Sequence, residues 1–230
     1  FHWVLEICDK ATGEDLHPEF RRRMNELGVD LEPLTKMMYE TFGLLPFPYD
    51  SHIGEYVLFA YDVTGPLPYF TLFTLPSRAV MTQTERIQRV IEGKEPLKEE
   101  LTQPSGELAI PIICDIEFDR KRRELSVNIT NDDFAISNLP EDAIVEIPAV
   151  VDANGLHPVK VGPLPEPIAA MCRTQISIQK LLVEAYAQRS KKLLLQALAI
   201  DPIVDSIPRS EKLIEEMLRI QREILPDFED

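Results

Sequence analysis

Cysteine, closely spaced glycine and positive charge are all scarce in this chain, and each scarcity closes off a class of function. The three cysteines, Cys8, Cys114 and Cys172, stand far apart among apolar neighbours, with no CxxC pair. An odd, dispersed set builds neither a disulfide framework nor a structural zinc site, and reads as reduced core residues of a cytoplasmic protein. The nine glycines occur singly and never as GxG, which excludes the loop on which a dinucleotide pyrophosphate rests. Lys and Arg number 24 against 39 Asp and Glu, a net charge of −15. Nucleic acid is bound by neutralising phosphates, so an acidic chain is a poor candidate for it, and for an anionic membrane surface. No apolar run approaches the roughly 20 residues needed to span a bilayer.

What remains is a chain able to bury a core: 230 residues, 44% hydrophobic and 27% charged. Phe1 to Cys8 reads as a strand, followed by a turn at Gly13. Pro18 to Leu27 reads as a short helix. A second helix follows, capped by Asp30, with Leu34, Met38 and Phe42 on one face and Gly43 at its end. Pro46 and Pro48 exclude helix at 44–50, and Asp50 or Ser51 can cap a helix running through His52, Glu55 and Tyr56. Thr84 to Glu92 reads as helix, and the charged stretch 94–105 as a mobile lid or interface arm. Glu107 to Asp119 fits helix or buried strand.

The alternation of Leu125, Val127 and Ile129 predicts a half-buried strand, and Ala143 to Val151 a second. Asp152 to Gly155 is a turn into a third at His157 to Val161. After Pro167 the pattern turns helical: a long helix through Ile168, Ile178, Leu182 and Ala185, then Lys191–Ile200, then Ser210–Ile224 with Leu213, Met217, Ile220 and Ile224 on one stripe. Such stripes are expected to face the chain's own core. The order predicts an α+β domain, a mixed or antiparallel sheet with packed helices.

Residues 126–165 read SVNITNDDFAISNLPEDAIVEIPAVVDANGLHPVKVGPLP. The succession of Val-Asn-x-x-Asn, a Val-x-x-Pro-Ala-x-Val-Asp strand and Asn-Gly-x-His-Pro resembles the C-terminal part of the family 4 glycoside hydrolases. The resemblance implies the C-terminal half of a two-domain, lactate/malate dehydrogenase-like enzyme, with residues 1–230 as the substrate-binding domain and the Rossmann domain absent from this chain. It implies NAD and Mn²⁺ as cofactors, both bound mainly by the N-terminal half, a carbohydrate substrate and a homo-oligomer. No metal ligand is expected in this chain, with His2 a weak candidate. The isolated 230 residues are expected to be inactive.

Asp50-Ser51-His52-Ile53-Gly54-Glu55-Tyr56 holds the best chemistry. On a helix, His52 and Glu55 share a face, and histidine as a residue type exchanges protons near neutrality. Capping by Asp50 beside a surface His–Glu pair is the alternative. Many members of the resembled family carry Asp-x-His-x-x-Glu here, lining the sugar pocket. Their reaction is an oxidation at C3 of the sugar, elimination, addition of water and reduction, outside the two-carboxylate scheme. The family's usual base is a Tyr in a Ser-Gly-Glu-Tyr-Ala stretch, where this chain has Leu108. The resemblance therefore points to Asp50 as base, with Tyr49 second and His52 alongside.

Glu55, Asn128 and Asn131 are the candidate substrate-binding residues, the asparagines because an amide both donates to and accepts from hydroxyls. Turn chemistry at Asn131-Asp132-Asp133 competes with that role. His157 reads as a turn residue, and Arg173 as ion-paired. Two other readings stay open: a 2-hydroxy-acid-dehydrogenase-like oxidoreductase, and a non-catalytic homologue serving as an oligomerisation module.

Overall fold

The computed structural model describes residues 2–27, 31–47, 49–65, 85, 87–96 and 106–229. In chain order the elements are β1 (His2–Val4), α1 (His17–Leu27), α2 (Pro33–Phe42), β2 (Leu45–Phe47), α3 (Asp50–Ile53), α4 (Ala60–Thr64), α5 (Ala109–Glu117), β3 (Arg122–Thr130), β4 (Ile144–Asp152), β5 (Gly155–Pro158), α6 (Glu166–Gln188), α7 (Lys191–Ile200) and α8 (Ile207–Ile220). They form two units. The first comprises Phe1–Gly65, Ser137–Ala143 and Pro163–Asp230, the second Pro66–Ile136 and Ile144–Gly162.

In the first unit β1 and β2 pair antiparallel, His2 opposite Phe47. The β1 strand is shorter than the apolar run Phe1–Cys8 predicts, because its partner β2 supplies only three residues. Helix α2 packs on α3, α4 and β2 and buries Leu34 and Met38 completely, together with Ile53 and Ala60. Gly43 ends α2 in the left-handed region, φ 76°, its N–H on the carbonyl of Tyr39. Helix α6 turns into α7 at Arg189, also left-handed (φ 54°), and Ser190 caps α7 by accepting from the N–H of Leu193. Ile168, Ala169, Ile178 and Ala185 are the buried face of α6.

The stripe on α8 behaves differently from its expectation. Ile214 and Ser210 are buried, but Leu213, Met217 and Ile220 are exposed, as is Ile224 beyond the helix end. The helix is rotated so that most of the stripe faces outward. Leu182 on α6 is exposed as well.

The second unit is built on an antiparallel meander, β3-β4-β5. On β4, Val145, Ile147, Ala149 and Val151 are buried in alternation with more exposed residues, the period-2 signature of a one-sided sheet. On β3 the register slips between Glu124 and Val127, a bulge that sets two residues, Leu125 and Ser126, against Pro148 alone. That bulge turns Leu125 outward, 72% exposed, whereas simple alternation places it inside with Val127. The β4–β5 hairpin closes on Asp152 and Gly155. The segment 107–119, open between helix and strand in sequence, is helical as α5, which packs on β4. Its Asp115 is wholly buried, with Arg120 at 3.7 Å and Arg122 at 3.9 Å. Most of the expected lid, residues 97–105, lies outside the described residues, as does the Pro-rich stretch 66–76.

All three cysteines are free. Cys8 is exposed, and Cys114 and Cys172 are half-buried, so the reading of all three as core residues is corrected. The expectation for Cys8 rested on its apolar neighbours, and the strand they begin stops at Val4.

Candidate functional site

Helix α2 begins at Pro33, and its N-cap, Glu32, makes no side-chain cap of its own. The first amides of a helix need partners and concentrate positive potential. The partner here is Asp50, 6% exposed, from the following helix. Its Oδ2 accepts from the N–H of Leu34 at 2.8 Å, and its Oδ1 from the N–H of Thr35 at 2.7 Å and Thr35 Oγ1 at 2.8 Å. In return Glu32 Oε2 accepts from the N–H of Asp50 at 2.5 Å. Asp50 thus caps α2 rather than its own helix, and does the work that local pattern assigns to Asp30, which lies outside the described residues. Glu32 and Thr35 are the partners that sequence reasoning missed. Nothing local signals them, since they lie 18 and 15 positions from Asp50.

The cap fixes α3 against α2 and so fixes what α3 carries. Helix α3 is a single turn that passes into a 3₁₀ turn at Gly54–Tyr56. His52 Nδ1 stands 3.8 Å from Glu55 Oε2, an ion-pair spacing wider than a hydrogen bond. The His2 ring stacks on the His52 ring, centroids 6.1 Å apart and planes 26° apart. Tyr56 meets the same imidazole edge-on at 6.0 Å. The Tyr56 phenol is pushed up from its ordinary pKa by burial, and further by the charge of Glu55. Tyr56 also lines a cavity of about 180 Å³ with Ala170, Met171, Thr174, Gln175 and Pro202. Tyr49 is the N-cap of α3 and is 53% exposed. Four sequence-predicted residues, Tyr49, Asp50, His52 and Glu55, therefore share one short turn, joined by His2 and Tyr56.

Asn128 and Asn131 belong to the second unit. Asn128 is exposed on β3, in register with Glu146. Asn131 is wholly buried. Its Oδ1 accepts from the N–H of Ile136 at 2.7 Å, and its Nδ2 donates to the carbonyl of Ile136 at 3.0 Å. The amide's oxygen and nitrogen thereby both engage the loop it begins. Leu108 is half-buried at the N-cap of α5.

The remaining candidates are structural pairs. His157 Nε2 lies 2.9 Å from Asp152 Oδ1 across the hairpin, and that contact leads the lowering of the Asp152 pKa. Arg173 pairs with Glu166 and donates to the carbonyl of Asn138 at 3.1 Å. On α1, Arg22 and Arg23 hold the Glu19 carboxyl down to about 2. Among the described residues no three His, Cys, Asp or Glu side chains converge to hold a metal ion, His2, His52 and Glu55 included. No described helix is long and apolar enough to cross a membrane.

Comparison with known proteins extends over this whole arrangement. A family model described as "Family 4 glycosyl hydrolase C-terminal domain" matches residues 1–204. An alpha-glucosidase of Erwinia rhapontici is 31% identical over 197 residues, covering 82% of this chain and 38% of that protein. A 6-phospho-beta glucosidase from Thermotoga maritima, solved with NAD and glucose-6-phosphate, superposes with a TM-score of 0.71 at 27% identity, over 94% of this chain and 51% of that one. A 6-phospho-alpha-glucosidase from gut microorganisms, solved with NAD and Mn²⁺, has the same fold with a TM-score of 0.72 at 22% identity, over 99% of this chain and 54% of that one. The chain spans about half the length of these solved relatives and less of the first. Its helices and antiparallel strands match the C-terminal domain of those structures.

Proposed function

The chain belongs to the family 4 glycosyl hydrolases, and from that premise we propose that it is the substrate-binding and catalytic C-terminal domain of an enzyme that hydrolyses the O-glycosidic bond of an α-hexoside or α-hexuronide. The observation that carries this reading is the turn of α3, where His52 stands among Glu55, His2 and Tyr56, the last of which lines a cavity.

NAD and Mn²⁺ accompany the solved relative from gut microorganisms. The described residues here do not suit either group by themselves: no metal-binding trio is found among them, and the glycines of the chain never form GxG. Both cofactors are therefore assigned mainly to a preceding dinucleotide-binding domain. When bound, they supply the redox and Lewis-acid chemistry of an oxidation–elimination–addition–reduction route.

The chain's own residues handle the sugar and a proton. With Nδ1 turned towards Glu55, His52 Nε2 is the atom that exchanges a proton with the substrate. Glu55 orients the ring, and Tyr56, its phenol kept protonated, offers a hydrogen bond. Asp50 acts as a positioning residue, because taking a proton would break the cap of α2. Tyr49, exposed at the head of the turn, is the second candidate for that proton. In the second unit, the exposed amide of Asn128 is a separate candidate for a hydrogen bond to carbohydrate. The outward stripe on α8 supports assembly with further copies of the chain, and dispersed free cysteines support a cytoplasmic setting.

Leu108, standing where the resembled family has its Tyr, favours a non-catalytic homologue as the second reading. The test is release of p-nitrophenol from a panel of α-glycosides and α-uronides by the full enzyme, with and without NAD, Mn²⁺ and a reductant. Hydrolysis that needs both cofactors, with kcat lowered at least about 100-fold in His52→Ala at unchanged unfolding, is the expected result. Substrate-dependent NADH without hydrolysis turns the reading to an oxidoreductase, and silence turns it to the non-catalytic homologue. The 230 residues alone are expected to turn over nothing.

A further inference from the structure

The loop that Asn131 clamps carries an unusual residue. Asp133 and Phe134 are consecutive non-glycine residues at positive φ, 52° and 53°. A bulky side chain rarely adopts this backbone, and glycine takes it without strain. The surroundings over-determine the loop. Besides the Asn131 amide, the carbonyl of Ala135 accepts from the N–H groups of Val161 at 2.8 Å and Gly162 at 3.1 Å. Lys160 Nζ donates to the carbonyl of Asp133 at 3.1 Å. Ala135 and Ile136 are buried by this arrangement, yet the Phe134 ring is left 49% exposed, with Asp132 and Asp133 exposed beside it. Residue 134 thus combines two choices that stability alone disfavours: an aromatic side chain where the backbone suits glycine, and an apolar ring held towards water. Strain of this kind, over-determined by its surroundings, clusters at ligand clamps and active sites.

We propose that Phe134 is a stacking platform for a neutral pyranose ring, with Asp132 and Asp133 accepting hydrogen bonds from its hydroxyls. The proposal rests on the glycosidase reading only in taking a sugar as the ligand. A pyranose presents C–H bonds on its face and hydroxyl donors around its rim. The electron-rich face of the phenyl ring suits the first, and acceptor-only carboxylates suit the second. The same carboxylates repel a phosphorylated or uronate ring. They also disfavour a second copy of this chain, whose net charge is −15.

Saturation-transfer NMR with maltose, digalacturonate and glucose-6-phosphate on the full enzyme tests this without requiring turnover. Maltose C–H protons are expected to receive saturation from wild type and Phe134→Tyr, at least about five-fold less from Phe134→Gly, with the two anionic sugars weaker than maltose. Phe134→Gly suits the backbone, so its unfolding midpoint is expected within a few degrees of wild type, which separates lost stacking from lost folding. Equal maltose saturation in all three proteins, none in wild type, or a preference for the anionic sugars overturns the proposal. So does dissociation of an oligomer by Phe134→Gly on gel filtration, which assigns the ring to a protein contact. Maltose binding without hydrolysis of any glycoside sinks the glycosidase reading and leaves this one standing.

Discussion

Asp50 in the first unit and Asn131 in the second are two answers to one problem. Each is a buried polar side chain that satisfies backbone groups which would otherwise lack partners. Asp50 accepts three hydrogen bonds at a helix N-terminus, where a negative charge is favoured. Asn131 both donates and accepts within a loop that has no such field, and a neutral amide suits it. Each also displays a neighbour: Asp50 fixes the turn that carries His52, and Asn131 fixes the loop that carries Phe134. The pair teaches that a polar residue in a promising motif can serve the site by holding its frame, while the reacting or binding group stands two or three positions along.

Three measurements would break or sharpen that comparison. The largest effect is expected from Asn131→Ala, which strands the N–H and carbonyl of Ile136 inside the protein. Each such group costs roughly 1–3 kcal/mol, so denaturant unfolding should show a loss of about 3 kcal/mol. Next comes Asp50→Ala, which removes the α2 cap, at about 2 kcal/mol. Asp50→Asn keeps one good acceptor and should cost only about 1 kcal/mol. If Asp50 is a frame, Asp50→Asn also keeps most of the activity; a variant of normal stability with activity abolished would return the base role to Asp50. An Asp50→Ala loss larger than that of Asn131→Ala would show that the charge at the helix end outweighs the stranded amide.

The smallest effect is a dependence on pH. Burial, followed by the charge of Glu55, raises the Tyr56 phenol. The folded protein then holds that proton more tightly than the unfolded chain does. Its contribution is complete below the free-phenol value of about 10 and is lost as pH rises through the higher folded value. Thermal unfolding of wild type should therefore fall off more steeply above about pH 10 than that of Tyr56→Phe. Parallel curves would show that Tyr56 is wetter than its place beside the cavity suggests.

The sequence was most legible where one element decides its own environment. Strand β4 alternates because one face of its sheet is buried, and Lys191–Ile200 is a helix with the bounds its sequence predicts. It was least legible where a distant partner decides. Leu125 follows its alternation until a register slip against β4 turns it out. The cap of α2 comes from Asp50 instead of Asp30, and no spacing within α2 announces it. The apolar stripe of α8 is real, but a stripe does not say which surface it will meet. At the candidate site, the His52–Glu55 spacing was readable from helical geometry. The stacking of His2 on His52 needed β1 to be brought beside α3, and the positive φ of Phe134 needed the backbone.

The first unit is also discontinuous along the chain, which crosses between units at 65–66, 136–137, 143–144 and 162–163. During synthesis the second unit has all its segments once residue 162 has emerged from the ribosome. The first cannot finish then: Tyr56 must wait for Met171 to close its cavity wall, and the backbone of Lys191 for the carbonyl of Glu229 at 2.9 Å. Contacts so distant in sequence are slow to form. The His52 turn therefore spends the longest time without the helix that completes its surroundings, so a nascent-chain arrest beyond residue 162 should protect β3–β5 from protease while leaving the α2–α3 region open to it.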